Sequence, residues 1–228
     1  IPALPATLPV PGSSAVVPLA PSACSAPGVP AARIIVGNGS ESILQVLCQA
    51  FLNPGDRVVT QRPSFGLHEI YPRMMGAGVD FLALTPELGF DTDAWCAALA
   101  KGPKLAMLAN PSNPVGCMFD SAAFQRLLQA TPASTLLVVD EAYVDFGAQS
   151  AVSLIAEHPN LLVVQTLSKS RSLAGLRVGF ACGQTSLIDA LKRVKNSFNS
   201  YPIDRLSGAG AVAALGTLIG VTVGVPLR

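Results

Sequence analysis

The chain has 228 residues, half of them hydrophobic, so it can bury a full core and does not have the composition of a disordered protein. Fifteen Lys and Arg against 14 Asp and Glu leave a net charge near +1, which supplies neither the basic face of a nucleic-acid binder nor an acidic tail. Five cysteines without a CxxC pair and two histidines give no metal-ligand spacing and suit reduced thiols, and no apolar stretch is long enough for a bilayer, so a soluble, cytoplasmic protein acting on small neutral or anionic molecules is expected.

Residues 1 to 30 carry eight prolines among Ser, Gly and Ala and have neither helical nor strand periodicity; the reading is an irregular arm. Order is expected from the apolar run at 33 to 36, a short buried strand that feeds a turn at 37 to 40. A helix follows, with Ile43, Leu44, Leu47, Ala50 and Phe51 at three- and four-residue spacings, and the breakers Asn53, Pro54 and Gly55 end it.

The same alternation continues down the chain. Strands are expected at 57 to 61, 79 to 84, 104 to 109, 135 to 140, 161 to 166 and 177 to 181; helices are expected near 92 to 100, 121 to 129 and 186 to 195. Residues 208 to 228, rich in Gly, Ala and Val, read as an apolar helix with a strand-like tail. Strands alternating with helices predict an α/β fold, a mostly parallel sheet sandwiched between helices in three layers. In such sheets ligands sit at the carboxyl ends of the strands. The expected organisation is an irregular segment at 1 to 30, one large domain at 31 to 207 and an atypical tail at 208 to 228.

The chemistry-bearing groups fall at those strand ends. NPSNPVG at 110 to 116 follows one strand, Asp140, Glu141, Ala142 and Tyr143 close another, and Thr166, Leu167, Ser168 and Lys169 close a third. A lysine, an aspartate, an asparagine and a tyrosine converging from separate strands suit pyridoxal 5'-phosphate. That cofactor needs an amine for its aldehyde, an anion opposite its ring nitrogen, donors to its phenolic oxygen and a cradle for its phosphate. Lys169 is the candidate amine and proton carrier, Asp140 the ring-nitrogen partner, and Asn113 and Tyr143 the phenolic-oxygen donors. Gly39, Ser40 and Glu41 open a helix directly after a strand, where amides and helix dipole can hold a phosphate, with Ser168 and Arg177 completing the cradle. Phe65 is placed to stack on the ring. Three residues on, His68 reads as a partly exposed residue that the motif alone brings near the same wall.

The segments GNGSESILQ at 37 to 45, PGDRVV at 54 to 59, RPSFGLHE at 62 to 69, NPSNPVG, VVDEAYVDF at 138 to 146 and TLSKSRSLAGLRVGF at 166 to 180 resemble, in order, the blocks of fold-type I aminotransferases of the histidinol-phosphate branch. The resemblance runs from about residue 33 to 198. It implies the large pyridoxal-phosphate-binding domain of that family, with Lys169 as Schiff-base lysine and with the roles given above for Asp140, Asn113, Tyr143, Phe65, Ser40, Ser168 and Arg177. It also implies a homodimer that transfers an amino group from histidinol phosphate to 2-oxoglutarate, giving imidazole acetol-phosphate and glutamate in histidine biosynthesis. The alternatives weighed are a threonine-phosphate decarboxylase or aromatic aminotransferase of the same fold, and a catalytically silent remnant. Departures from the family pattern are Ser170, Arg171 and Ser172 in the lysine block, Glu41 and Ser42 after the first turn, and no recognisable N-terminal closing segment or small domain with an arginine for the substrate carboxylate.

Overall fold

The computed structural model describes residues 29 to 216; of the arm expected at 1 to 30, residues 1 to 28, and of the tail expected at 208 to 228, residues 217 to 228, lie outside the described residues. Seven strands form one sheet, β1 (Ile34–Asn38), β2 (Arg57–Arg62), β3 (Gly78–Ala83), β4 (Leu105–Ala109), β5 (Leu136–Asp140), β6 (Leu161–Thr166) and β7 (Val178–Cys182), in the order β1-β7-β6-β5-β4-β2-β3. The helices are α1 (Gly39–Phe51), α2 (Leu67–Met74), α3 (Thr92–Leu99), α4 (Ser121–Ala130), α5 (Thr185–Phe198) and α6 (Arg205–Gly216).

The central strands β4, β5 and β7 are buried at every position, as unbroken apolar runs covered on both faces must be. On one face α1 contributes Ile43, Leu44 and Leu47 and α5 contributes Ile188 and Leu191. The other face is covered by Trp95 and Leu99 of α3 and by Phe124, Leu127 and Leu128 of α4. Each fully buried Leu or Ile adds roughly 1.5–3 kcal/mol to the apolar driving force. Two buried polar side chains here are matched: the Trp95 indole N–H donates to Gln61 Oε1 at 2.8 Å, and the Gln61 amide donates to the Leu82 carbonyl at 2.7 Å.

The mostly parallel sheet is as expected, with one exception in direction. β7 runs antiparallel to both β6 and β1 because a short excursion after Thr166, with no crossover helix, brings the chain back beside its own strand. The start of β7 therefore lies at the same edge of the sheet as the carboxyl ends of β1, β4, β5 and β6: Asn38 is opposite Val178, Thr166 opposite Gly179, and Ala109 opposite Asp140. This edge receives nearly every residue singled out from the sequence.

Three local expectations change. The helix α2 was not anticipated, since it spans eight residues and contains Pro72. The last apolar helix begins at Arg205, so the border expected after residue 207 falls inside α6, where Ala211 is fully buried. Cys48, Cys96 and Cys117 are free thiols, but Cys182 is disulfide-bonded, a pairing for which cysteine spacing gave no signal. Burial pushes the Cys48 thiol up to about 12.

Candidate active site

A pocket of about 160 Å³ opens at this edge, lined by Ser40, Glu41, Phe65, Ala109, Pro111, Asn113, Asp140, Ala142, Tyr143, Thr166, Ser168, Lys169, Ala174 and Arg177. Residues 40 to 177 thus meet in one cavity although six separate segments supply them. A wider groove of about 470 Å³ beside α4 has Asp120 as its one charged side chain, and that carboxylate caps the helix by accepting the Ala123 amide at 2.7 Å.

Asp140 ends β5 with 4% of its surface exposed, and both of its oxygens are held. Oδ1 accepts the Ala142 amide at 3.1 Å, and Oδ2 lies 3.1 Å from His68 Nε2, whose N–H donates to it. His68 itself is only 1% exposed, which corrects its reading as a partly exposed residue. The short helix α2 turns this face of the chain inward, and a buried carboxylate requires a donor. The imidazole meets the Phe65 ring edge-on at 5.7 Å between centroids, and Nδ1 lies 3.4 Å from Ser64 Oγ. One histidine thereby touches both the residue expected at the ring face and the residue expected at the ring nitrogen.

Glu141 points away from the pocket and is 2% exposed. Its carboxylate accepts the Ser150 hydroxyl at 2.6 Å, the Ala151 amide at 2.6 Å and the Gln165 side-chain amide at 2.7 Å. Burial raises its carboxyl to about 7, against the opposing pull of those hydrogen bonds. This clasp ties the loop that carries Tyr143 to β6.

Lys169 stands on the excursion between β6 and β7, which is closed by the Leu173 amide donating to the Leu167 carbonyl and the Ser172 amide to the Lys169 carbonyl, both at 3.0 Å. Its Nζ lies 5.3 Å from the centre of the Tyr143 ring. Ser170 and Arg171, the departures flanking the lysine, both engage Asp145: the Ser170 hydroxyl donates to its carboxylate and Arg171 Nε lies 3.5 Å away. The additional cation is therefore paired outside the pocket.

At the opposite end, α1 begins. Gly39 adopts a left-handed φ of 75° and donates its amide to the Arg177 carbonyl at 2.7 Å, so of the three amides expected for a phosphate, that of Gly39 is already used. Those of Ser40 and Glu41 stand in the first turn, where no helical carbonyl lies above them. Close approach of α1 to β7 depends on Gly179, where an added Cβ would sit 2.2 Å from the Ser40 nitrogen. Arg177, also left-handed at φ 51°, spreads its guanidinium across Gly39 and donates from Nη2 to Glu41 at 2.9 Å. Thr166 supplements this corner, since its hydroxyl donates to Ser168 Oγ at 3.0 Å.

Among the lining residues, Ala109 and Ala174 have no place in the strand-end groups picked out from the sequence, because a small apolar side chain carries no chemical signal, while Pro111, Ala142 and Thr166 stand in those groups without a role of their own.

The match to a family model settles the relationship: residues 25 to 221 match Aminotransferase class I and II. The chain belongs to that family. It is 46% identical over 192 residues to histidinol-phosphate aminotransferase 1 of Bordetella parapertussis, covering 84% of this chain and 53% of that protein. Similarity to the histidinol-phosphate aminotransferase of Acetobacter pasteurianus is 44% over 182 residues, 80% of this chain and 50% of the relative. The crystal structure of histidinol-phosphate aminotransferase from Sinorhizobium meliloti in complex with pyridoxal-5'-phosphate superimposes with a TM-score of 0.74 at 27% identity, over 82% of this chain and 51% of that one. The chain spans about half the length of the curated relatives it matches.

Among the described residues no helix is long and apolar enough to cross a membrane, and no group of three or more His, Cys, Asp or Glu is arranged to hold a metal ion.

Proposed function

We propose that the chain forms the pyridoxal-phosphate-binding core of an aminotransferase that takes histidinol phosphate as amino donor and 2-oxoglutarate as acceptor. The observation that carries this reading is the convergence of Lys169, the buried Asp140–His68 pair, Tyr143, Asn113, Phe65 and the Ser40–Ser168–Arg177 corner on one pocket. The donor set fits the cofactor's chemistry: an anion held away from water for the ring nitrogen, an amine at the rim, and a cationic corner at a helix N-terminus for the phosphate. The sequence likeness to histidinol-phosphate aminotransferases supports the choice of donor.

When bound, the cofactor supplies an aldehyde carbon for the amine and an aromatic ring that takes up the electrons released at the substrate carbon. The residues do the rest. Asp140, fixed on both oxygens, would hold a proton at the ring nitrogen, and His68 keeps that carboxylate from turning away. Tyr143 and Asn113, which line the pocket, would donate to the phenolic oxygen. Lys169 would supply the amine and hold the proton released at the donor carbon, a role for which a positioned amine is suited. Phe65 would cover one ring face and exclude water from it. We further infer a homodimer, as the family resemblance implies, and a cytoplasmic location, the expectation drawn from composition.

The test is spectroscopic. With pyridoxal phosphate added, the chain should develop an absorbance band that Lys169→Ala abolishes, and histidinol phosphate should shift that band. A Lys169-dependent band that ignores histidinol phosphate but responds to aromatic amino acids would transfer the reading to an aromatic aminotransferase. A band that responds to no amino donor would mark a core that binds cofactor without transfer, and no Lys169-dependent band would overturn the site.

A further inference from the structure

The phosphate corner already contains an anion. Arg177 and Glu41 face each other across the mouth of the pocket, with Nη2 and Oε2 2.9 Å apart, and both side chains belong to the lining. The guanidinium is held in place from behind: its Nη1 donates to the Ala174 carbonyl at 3.4 Å, and its Nη2 lies where any side chain on Gly39 would have to go. The Arg177 backbone carbonyl binds the Gly39 amide at 2.7 Å, so the cation and the start of α1 form one unit. Glu41 comes from the first turn of that same helix, where the dipole favours a negative charge. Its carboxylate therefore occupies the surface on which the Ser40 and Glu41 amides and Arg177 would converge on an incoming phosphate.

We propose that Glu41 is a built-in competitor for the phosphate corner: its carboxylate holds Arg177 until a ligand phosphate displaces it, and so sets the affinity of the pocket for phosphorylated ligands. The inference rests on the reading of the pocket as a pyridoxal-phosphate site. A phosphate carries nearly two negative charges, and a carboxylate on the same guanidinium nitrogen must either leave or repel it. Leaving is easy here. Glu41 is 49% exposed and Arg177 40%, so the carboxylate can swing into water without crossing apolar surface, and an ion pair this exposed contributes little stability to lose. The main-chain amide of Glu41 stays in the cradle while its side chain departs, giving one residue opposite effects through backbone and side chain.

Glu41→Gln keeps size and removes the charge, and Glu41→Ala removes both. The intact chain and the two variants are titrated with pyridoxal phosphate, with pyridoxal, which has the same aldehyde but no phosphate, and with inorganic phosphate as a competitor of the first. Both variants should bind pyridoxal phosphate about fivefold more tightly than wild type, the size expected from removing one exposed like charge near a phosphate. Inorganic phosphate should compete correspondingly better, and affinity for pyridoxal should stay within about twofold. Unchanged or weaker binding of pyridoxal phosphate in Glu41→Gln would overturn the proposal and would mean that Glu41 orients Arg177 for the ligand. An equal gain for pyridoxal would overturn it too, by placing the effect outside the phosphate corner. Failure of the underlying site looks different: neither aldehyde would then give a Lys169-dependent band in any variant.

Discussion

At one end of the pocket Asp140 and His68 are almost sealed from water, at 4% and 1% exposure, and Asp140 accepts from both His68 and the Ala142 amide. At the other end Glu41 and Arg177 are about half exposed and hold each other at 2.9 Å with water around them. The first end is built to keep one charge in one orientation, because a buried carboxylate without its donor is costly. The second is built to exchange one anion for another, because an exposed pair loses little when it parts. In the proposed cofactor site, the buried end would grip a ring rigidly and the exposed end would admit and release a phosphate.

The contrast can be broken most severely at the buried end. Asp140→Asn should slow the substrate-dependent spectral change by about 100- to 1000-fold, the range for removing one preorganised electrostatic contact, while cofactor affinity changes far less; a variant reacting within tenfold of wild type would detach Asp140 from the chemistry. Behind it, Glu141 should make stability fall with pH. Unfolded, its carboxyl titrates near 4.5; folded, burial raises it to about 7. Below 4.5 both states hold the proton and burial of the group carries no penalty. As pH rises through 7 the folded state must keep a buried charge, and about 3 kcal/mol of stability is lost across that window. Urea unfolding between pH 4.5 and 8 should reveal this slope in wild type and not in Glu141→Gln; equal slopes would show that the charge is accommodated without penalty. The smallest effect is expected from His68→Ala, about 2 kcal/mol for a hydrogen bond to a buried charged group. The readout is the urea midpoint at neutral pH, and a loss under about 0.5 kcal/mol would mean that Asp140 is held adequately by Ala142.

How far the sequence discloses this arrangement depends on the range of the interaction. Strand β6 lies where its apolar run placed it, and α1 follows from the spacing of Ile43, Leu44 and Leu47 with a helix stop at Asn53. The convergence of Asn113, Asp140 and Lys169 was legible because a parallel sheet delivers its strand ends to one edge. The direction of β7 was not, since a strand buried on both faces has the same pattern whichever way it runs. Helix α2 stayed hidden because Pro72 and eight residues give periodicity too little to work with. The burial of His68 was equally invisible: its partner stands 72 residues away, and nothing local to the histidine reports that distance. Glu141 illustrates the same limit, for the donors that hold it come from residues 150, 151 and 165.

Gly179 has no functional group and lines no part of the pocket, yet β7 and the start of α1 can touch only because it has no side chain. An alanine there would drive a methyl group into the Ser40 amide and push the helix outward. In a scan of all single substitutions scored by activity, position 179 should therefore be as intolerant as Lys169, and tolerance would be no guide to which of the two meets the substrate. Intolerance at 179 would register a clearance between two backbones, which a change in the neighbouring helix, and no change of chemistry, could restore.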